Sequence, residues 1–202
     1  MQASTPNATA STTPAAPRER IGLMELGGKP ATLIGDDVLP GQRAPRFQSQ
    51  VGLWAGRSLW SEVDALEATA GLVRIVTAVP SLDTDTCDTE TRRFNVEAAL
   101  LGPGARVITV SVDLPVTQKR WCDAAGVENV YAVSDHMGVE FGIKYGCLMK
   151  ERRWLRRAVF VLDHVDVIHY AAYMTKLGDQ PNYKEVLAVA RQLLEPPPET
   201  TV

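Results

Sequence analysis

Cys87 follows Thr84 by three residues and Pro80 by seven, in the run Pro80-Ser81-Leu82-Asp83-Thr84-Asp85-Thr86-Cys87. An apolar, β-branched stretch ends at Pro80 and helix-forming residues follow, so the thiol falls in the first turn of a helix that leaves a buried strand. Backbone N–H groups and the positive helix end favour the thiolate there, the form in which cysteine is a nucleophile. Thr84 stands one helical turn earlier, where its hydroxyl can hydrogen-bond the sulfur or a bound substrate oxygen, and it also suits the N-cap position. Pro80 ends the strand and, having no N–H, forms a rigid, donor-free wall that screens the thiol from water. An isolated helical cysteine is more often a small buried hydrophobe than a nucleophile, so it is the company of Thr84 and Pro80 that points to thiol chemistry.

The elements that must position these residues follow from the pattern around them. Residues 72–79, LVRIVTAV, are continuous and β-branched, the composition of a buried central strand. In CDTETRRFNVEAALL, residues Phe94, Val96, Ala98, Leu100 and Leu101 can share one broad face, which predicts a helix. RVITVSVDL, residues 106–114, is another buried strand; Pro115 opens a helix through VTQKRWCDAAG, and Gly126 stops it. NVYAVSD predicts a shorter strand, DHMGVEFGIKYG a helix, RAVFVLD and VIHYAAY adjacent strands, and PNYKEVLAVARQLLE a closing amphipathic helix. Upstream, IGLMELGGKPATLIG predicts a β-hairpin turning at its glycines, with a further strand around Phe47 to Leu53. Strands alternating with helices in the middle, with hairpins at both ends, predict an α/β fold whose mixed sheet is parallel in its centre and flanked by helices on both faces.

The 202 residues suit one well-cored domain. Residues 1–20 are mostly Ala, Ser, Thr and Pro and cannot bury enough surface to offset ordering entropy, so they are expected to form a flexible tail. The proline-rich residues 196–202 are expected to be flexible too, leaving a domain over residues 21–195. A hydrophobic fraction of 45% with 22% charged residues excludes wholesale disorder. The net charge of -3 gives no global positive field for nucleic acid or an anionic membrane. Three cysteines, without CxxC or Cys/His spacing, fit neither a disulfide-stapled secreted scaffold nor a zinc site, and no metal or cofactor site is expected. With no stretch approaching 18 apolar residues and no apolar signal core, the expectation is a soluble cytoplasmic protein.

The spacing Pro80, Thr84, Cys87 resembles the Pro-x-x-x-Thr-x-x-Cys hallmark of the peroxiredoxins, which have a thioredoxin-like fold. The flank PSLDTDTCDTETRRFN is similar to the thiol peroxidase subfamily, the atypical two-cysteine peroxiredoxins, with Arg93, Phe94 and Asn95 supplying its R-x-FN run. SVDLPVTQKRWCDAAGVENV resembles the family segment that contains the resolving cysteine, which places that role at Cys122. RRAVFVLDHVDVIHY resembles the strand pair that begins with the family's essential arginine, here Arg157, and GGKPATLIG resembles the family's opening hairpin. The resemblance covers roughly residues 21–194 in several separated motifs.

The resemblance implies a peroxidase acting on hydrogen peroxide and organic hydroperoxides. Cys87 would be oxidised to a sulfenic acid, Cys122 would resolve it as an intramolecular disulfide, and thioredoxin would restore both thiols. Arg157 would hydrogen-bond the thiolate and the peroxide oxygens. A homodimer is implied as well. Two helices seldom present both sulfurs within disulfide reach while one sits in a closed pocket, so local unwinding around both cysteines is expected. Cys147 matches no family position and is expected to fill the core. Asp85 and Asp88 depart from the small or apolar residues usual beside the cysteine, and nearby carboxylates disfavour a thiolate. The basic run Lys150, Arg152, Arg153, Arg156 and Arg157 can offset them, although such runs are usually solvated. The acidic flanks motivate a second reading, a low-turnover redox sensor using the same cysteine switch. A general disulfide oxidoreductase is disfavoured, because Thr84 stands where a CxxC motif needs its first cysteine.

Overall fold

A computed structural model describes residues 16–195. The first hairpin joins strand β1 (Glu19–Leu26) to β2 (Lys29–Ile34) in antiparallel register. Gly27 and Gly28 form its turn at φ of 61° and 77°, the left-handed values a two-residue turn needs to match the twist of the strands. β1 begins two residues inside the expected tail, because Glu19 and Arg20 pair with Ile34 and Leu33. Residues 1–15 of that expected tail, and the expected flexible segment 196–202, lie outside the described residues.

Strands β3 (Gln48–Leu53), β4 (Glu62–Asp64) and β5 (Val73–Ala78) follow, and then helix α1 (Asp85–Leu101). Next come β6 (Ala105–Ser111), α2 (Pro115–Ala125), β7 (Val130–Ser134) and α3 (Glu140–Lys144). The chain continues through β8 (Leu148–Met149), β9 (Ala158–Leu162), β10 (Ile168–Tyr173) and α4 (Tyr183–Leu194). Seven strands form the main sheet in the order β10-β9-β5-β6-β7-β3-β4. β5, β6 and β7 run parallel, and the outer pairings are antiparallel. β1, β2 and β8 make a smaller sheet over Met24, Ala31, Leu33 and Met149.

Alternate residues of the central strands face two apolar layers. Val73 and Ile75 of β5 join Phe94 of α1, Cys122 of α2 and Val186, Leu187 and Ala190 of α4 on one face. Val76 and Ala78 join Phe47, Phe141 and Phe160 on the other. The mixed α/β sheet flanked by helices is therefore present, with its three long helices on one face and the short α3 on the other. β5 is buried at every position, as its continuous apolar character predicts.

The helix expected over residues 135–146 shrinks to α3. Val139 adopts a left-handed φ of 47°, and the Asp135 carboxylate accepts hydrogen bonds from the N–H groups of Phe141 and Gly142. The helix therefore starts only after this cap.

Gly35 has φ of +90°, and a Cβ there would lie 1.8 Å from the Ile143 carbonyl oxygen. Gly35→Ala is expected to cost about 3 kcal/mol by overpacking against backbone that cannot rotate away. Thermal unfolding followed by circular dichroism should move down by roughly 6–12 °C. A shift within one degree would refute the steric reading.

Candidate active site

β5 delivers the chain to the buried Pro80, and the segment from Ser81 to Thr84 turns it into α1. Thr84 is the N-cap residue by backbone geometry, with φ of -103°, yet its side chain caps no N–H. Its hydroxyl instead lies 2.9 Å from Cys87 Sγ and 3.1 Å from the Ser81 carbonyl oxygen. A hydroxyl has one proton and two lone pairs, so it can serve both states of the sulfur. With a thiol, S–H donates to Thr84 Oγ1 while the hydroxyl donates to Ser81; with a thiolate, the hydroxyl turns to the sulfur.

Cys87 is the third residue of α1 and is fully buried among Val79, Leu82 and the partly buried Trp121. Arg157 immediately precedes β9 and reaches the same sulfur, with Nη2 3.2 Å from Cys87 Sγ and 3.2 Å from the Leu177 carbonyl oxygen. It is 1% exposed, unlike the solvated arginine that a basic run suggests by itself. Its other terminal nitrogen, Nη1, donates to Glu90 Oε2. Burial works to lower the guanidinium, but the Glu90 carboxyl and the Cys87 sulfur outweigh it and hold it further above its ordinary value. The planar fork thus spans three acceptors from α1 and the β10–α4 connection.

The basic run divides along its length. Lys150 pairs with exposed Glu19, Arg152 lies over the Trp154 ring at 5.0 Å, and Arg156 and Arg157 turn inward. Of the acidic flanks, Asp88 is paired with Arg92 Nε at 2.8 Å on the next helical turn, and Asp85 is exposed. Outside the buried sulfur, Pro80, Thr84, Asp85, Arg152, Trp154 and Leu177 line a recess of about 390 Å³. Thr84 and Arg157 therefore meet at the Cys87 sulfur, and Pro80 lines the adjoining recess beside Thr84.

Cys122 does not meet them. It is fully buried on α2 in a different apolar cluster from Cys87, with Trp121 touching both clusters, and all three cysteines are free thiols. Burial and the adjacent Asp123 push the Cys122 thiol up to about 12. Arg92 also bonds the Ala125 carbonyl oxygen at 2.8 Å and lies over the Trp121 ring at 5.6 Å, tying α1 to the helix that carries Cys122. Cys147 lies in the main apolar core, with its S–H directed at the Tyr145 carbonyl oxygen.

Two participants escape a reading of the sequence. Glu90 is three residues after Cys87, so helical phase alone places it on the cysteine's side of α1, but only the fold brings Arg157 to it. Asp113 accepts hydrogen bonds from Ser81 Oγ, the Leu82 N–H and Ser111 Oγ, each at 2.8 Å. It thereby joins the cysteine loop to the start of α2. Among the described residues no group of three or more His, Cys, Asp or Glu is placed to hold a metal ion. No helix among them is long and apolar enough to cross a membrane.

Comparison with known proteins gives this constellation a family. The Redoxin family pattern matches residues 39–187. The chain belongs to the redoxin family. Within it, the protein is a peroxiredoxin-type oxidoreductase of the thiol peroxidase kind. It is 41% identical to the thiol peroxidase of Halalkalibacterium halodurans over 169 residues, 83% of this chain and 96% of that protein. It is 42% identical to the thiol peroxidase of Bacillus subtilis over 168 residues, with the same coverage. A peroxiredoxin-like protein from Aquifex aeolicus superposes with a TM-score of 0.73 at 32% identity, covering 86% of this chain and 98% of that one. A thiol peroxidase from Chromobacterium violaceum, at 20% identity and a TM-score of 0.72, shares the redoxin fold over 84% of this chain and 95% of its own.

Proposed function

We propose that this redoxin reduces hydrogen peroxide and organic hydroperoxides at Cys87. The observation that carries the reading is the convergence of the Thr84 hydroxyl and the Arg157 guanidinium on one buried sulfur in the first turn of α1. The Cys87 thiolate attacks the terminal peroxide oxygen and the O–O bond breaks. Sulfur is oxidised to a sulfenic acid, and the released oxygen leaves as water or an alcohol once protonated. Negative charge moves from sulfur to the leaving oxygen, and Arg157 and Thr84 are fixed donors along that path. Pro80, Trp154 and Leu177 add apolar surface to the recess, which suits the organic part of a hydroperoxide.

Cys122 then attacks the sulfenic sulfur, forming a disulfide and releasing water, and thioredoxin reduces the disulfide. The full burial of both thiols in separate clusters requires local opening of α1 and α2 before this step. Opening also returns the Cys122 thiol toward its ordinary value near 8.5, so that a thiolate becomes available. The working unit is a homodimer.

Intact and peptide mass analysis after one equivalent of peroxide tests this cycle. A Cys87–Cys122 disulfide is expected in the wild type, and sulfenic or over-oxidised Cys87 in Cys122→Ser. Cys122 should remain unreacted in Cys87→Ser. A reduced Cys87, or a bond to Cys147 or to a second chain, would remove Cys122 from the resolving role. The deep burial of Cys122 also favours a second reading, a redox sensor that turns over slowly. Rapid thioredoxin-coupled turnover excludes it.

A further inference from the structure

Arg157 is shared by two groups that can each carry a negative charge. Nη1 donates to Glu90 Oε2 and Nη2 lies 3.2 Å from Cys87 Sγ, and the side chains of Arg157 and Glu90 are 1% and 0% exposed. One fixed cation therefore faces a carboxyl and a thiol where water does not reach. If both ionise, the cluster carries a net negative charge in a poorly polarisable interior, which opposes the second ionisation.

The remaining neighbours of Glu90 do not relieve that excess. From α4, Tyr183 presents a neutral phenol, held high chiefly by burial, whose hydroxyl bonds Gln180 Oε1. Arg93 lies over the Tyr183 ring at 4.0 Å. Beneath α1, Val107 of β6 and Val130 of β7 are apolar. On α1 itself, Asp88 is already paired with Arg92 and Asp85 is exposed. Among the described residues Arg157 is the cation in direct contact with the carboxyl. Glu90 Oε1 has no hydrogen-bond partner among the described residues, so it can carry a proton while Oε2 goes on accepting from Arg157.

We propose that Glu90 and Cys87 share a single proton across Arg157, so that Glu90 is a positioning residue that sets how much of Cys87 is thiolate. This rests on Cys87 being the reacting thiol. When the proton sits on the carboxyl, Arg157 faces the thiolate alone; when it sits on the sulfur, Arg157 is neutralised by the carboxylate. Burial pushes the Glu90 carboxyl up to about 7 against the pull of Arg157, in keeping with a carboxyl that holds a proton near neutrality.

Glu90→Gln separates charge from geometry, because the amide oxygen can still accept from Arg157 while no negative charge remains. The rate of Cys87 alkylation by iodoacetamide, resolved by peptide mass analysis, should reach its pH midpoint about one unit lower in this variant. Below the midpoint that is about tenfold faster alkylation. A merely structural Glu90 would leave the midpoint unchanged, and an unchanged or raised midpoint overturns the proposal.

Should Glu90→Gln fail to fold, carbon-13 carboxyl spectra of glutamate-labelled wild type and Cys87→Ser give the reciprocal test. The Glu90 carboxyl should titrate in two steps in the wild type and in one step in Cys87→Ser, because a serine hydroxyl does not compete for the proton. One step in both overturns it. Neither readout depends on turnover. Trapping of a Cys87 sulfenic acid with dimedone after peroxide treatment reports on the peroxidase reading separately. Coupling without trapping sinks that reading, and trapping without coupling sinks proton sharing.

Discussion

Arg157→Met is expected to lower kcat/KM for hydrogen peroxide by about three orders of magnitude, measured by stopped-flow consumption under excess reductant. The guanidinium supplies a donor to the sulfur and, on the proposed reaction path, to the peroxide oxygens; methionine fills similar volume and donates nothing. The same substitution strands Glu90, a carboxyl with no exposed surface that burial already pushes up to about 7, so stability should fall by about 3 kcal/mol above neutral pH and by less at lower pH, where the carboxyl holds a proton. Those two losses are separable. Arg157→Met combined with Glu90→Gln removes the stranded charge and should recover most of the thermal stability while leaving peroxide reduction as slow as in the single variant. Recovery of activity alongside stability would mean that Arg157 acts through folding and not on the reacting atoms. Arg157→Lys keeps the charge but loses the planar fork that spans Cys87, Glu90 and the Leu177 carbonyl, so it should recover only part of the rate.

What the sequence discloses of this site is what local spacing can encode. The Thr84 to Cys87 interval is one helical turn, so the hydroxyl–sulfur contact follows once a helix starts near Asp85. The continuous β-branched run at β5 and the prolines at residues 80 and 115 mark where strands end and helices begin. Arg157 is different: within Arg156-Arg157-Ala158 nothing local distinguishes a buried guanidinium from a solvated one, and only family resemblance singles it out. Glu90 was legible by phase but not by role, because its partner lies 67 residues away and is brought close by the β9–β5 pairing. The helix expected through residues 135–146 fails for a comparable reason. Its apolar spacing is genuine, but the Asp135 carboxylate gives the chain a competing cap, and Val139 breaks the helical path ahead of Phe141.

Asp113→Asn should change two rates in opposite directions. In the folded state Asp113 accepts from Ser81 Oγ, the Leu82 N–H and Ser111 Oγ, and Ser81 in turn receives the Thr84 N–H and hydroxyl on its carbonyl oxygen. A chain of hydrogen bonds therefore runs from the β6–α2 connection through the cysteine loop to the residue that contacts Cys87. In the proposed cycle, disulfide formation with Cys122 has to undo this chain, since the two sulfurs lie in separate clusters with Trp121 against both. Exchanging the carboxylate for an amide removes charge-assisted bonds and costs the closed loop about 1.5–3 kcal/mol. The opened population then rises about tenfold to hundredfold. Resolution of a Cys87 sulfenic acid should quicken by that factor where opening limits it, and correspondingly more peroxide should be needed to over-oxidise Cys87. Attack on peroxide should slow, because in the proposed mechanism the thiolate reacts from the closed loop that holds Thr84 and Arg157 against it. Stopped-flow Trp fluorescence for the two steps, with mass analysis of over-oxidised Cys87, reads both signs in one variant. If both steps slow together, Asp113 merely supports the site, and the barrier to disulfide formation lies elsewhere, with the Arg92 contacts to Trp121 and the Ala125 carbonyl as the next tie to cut.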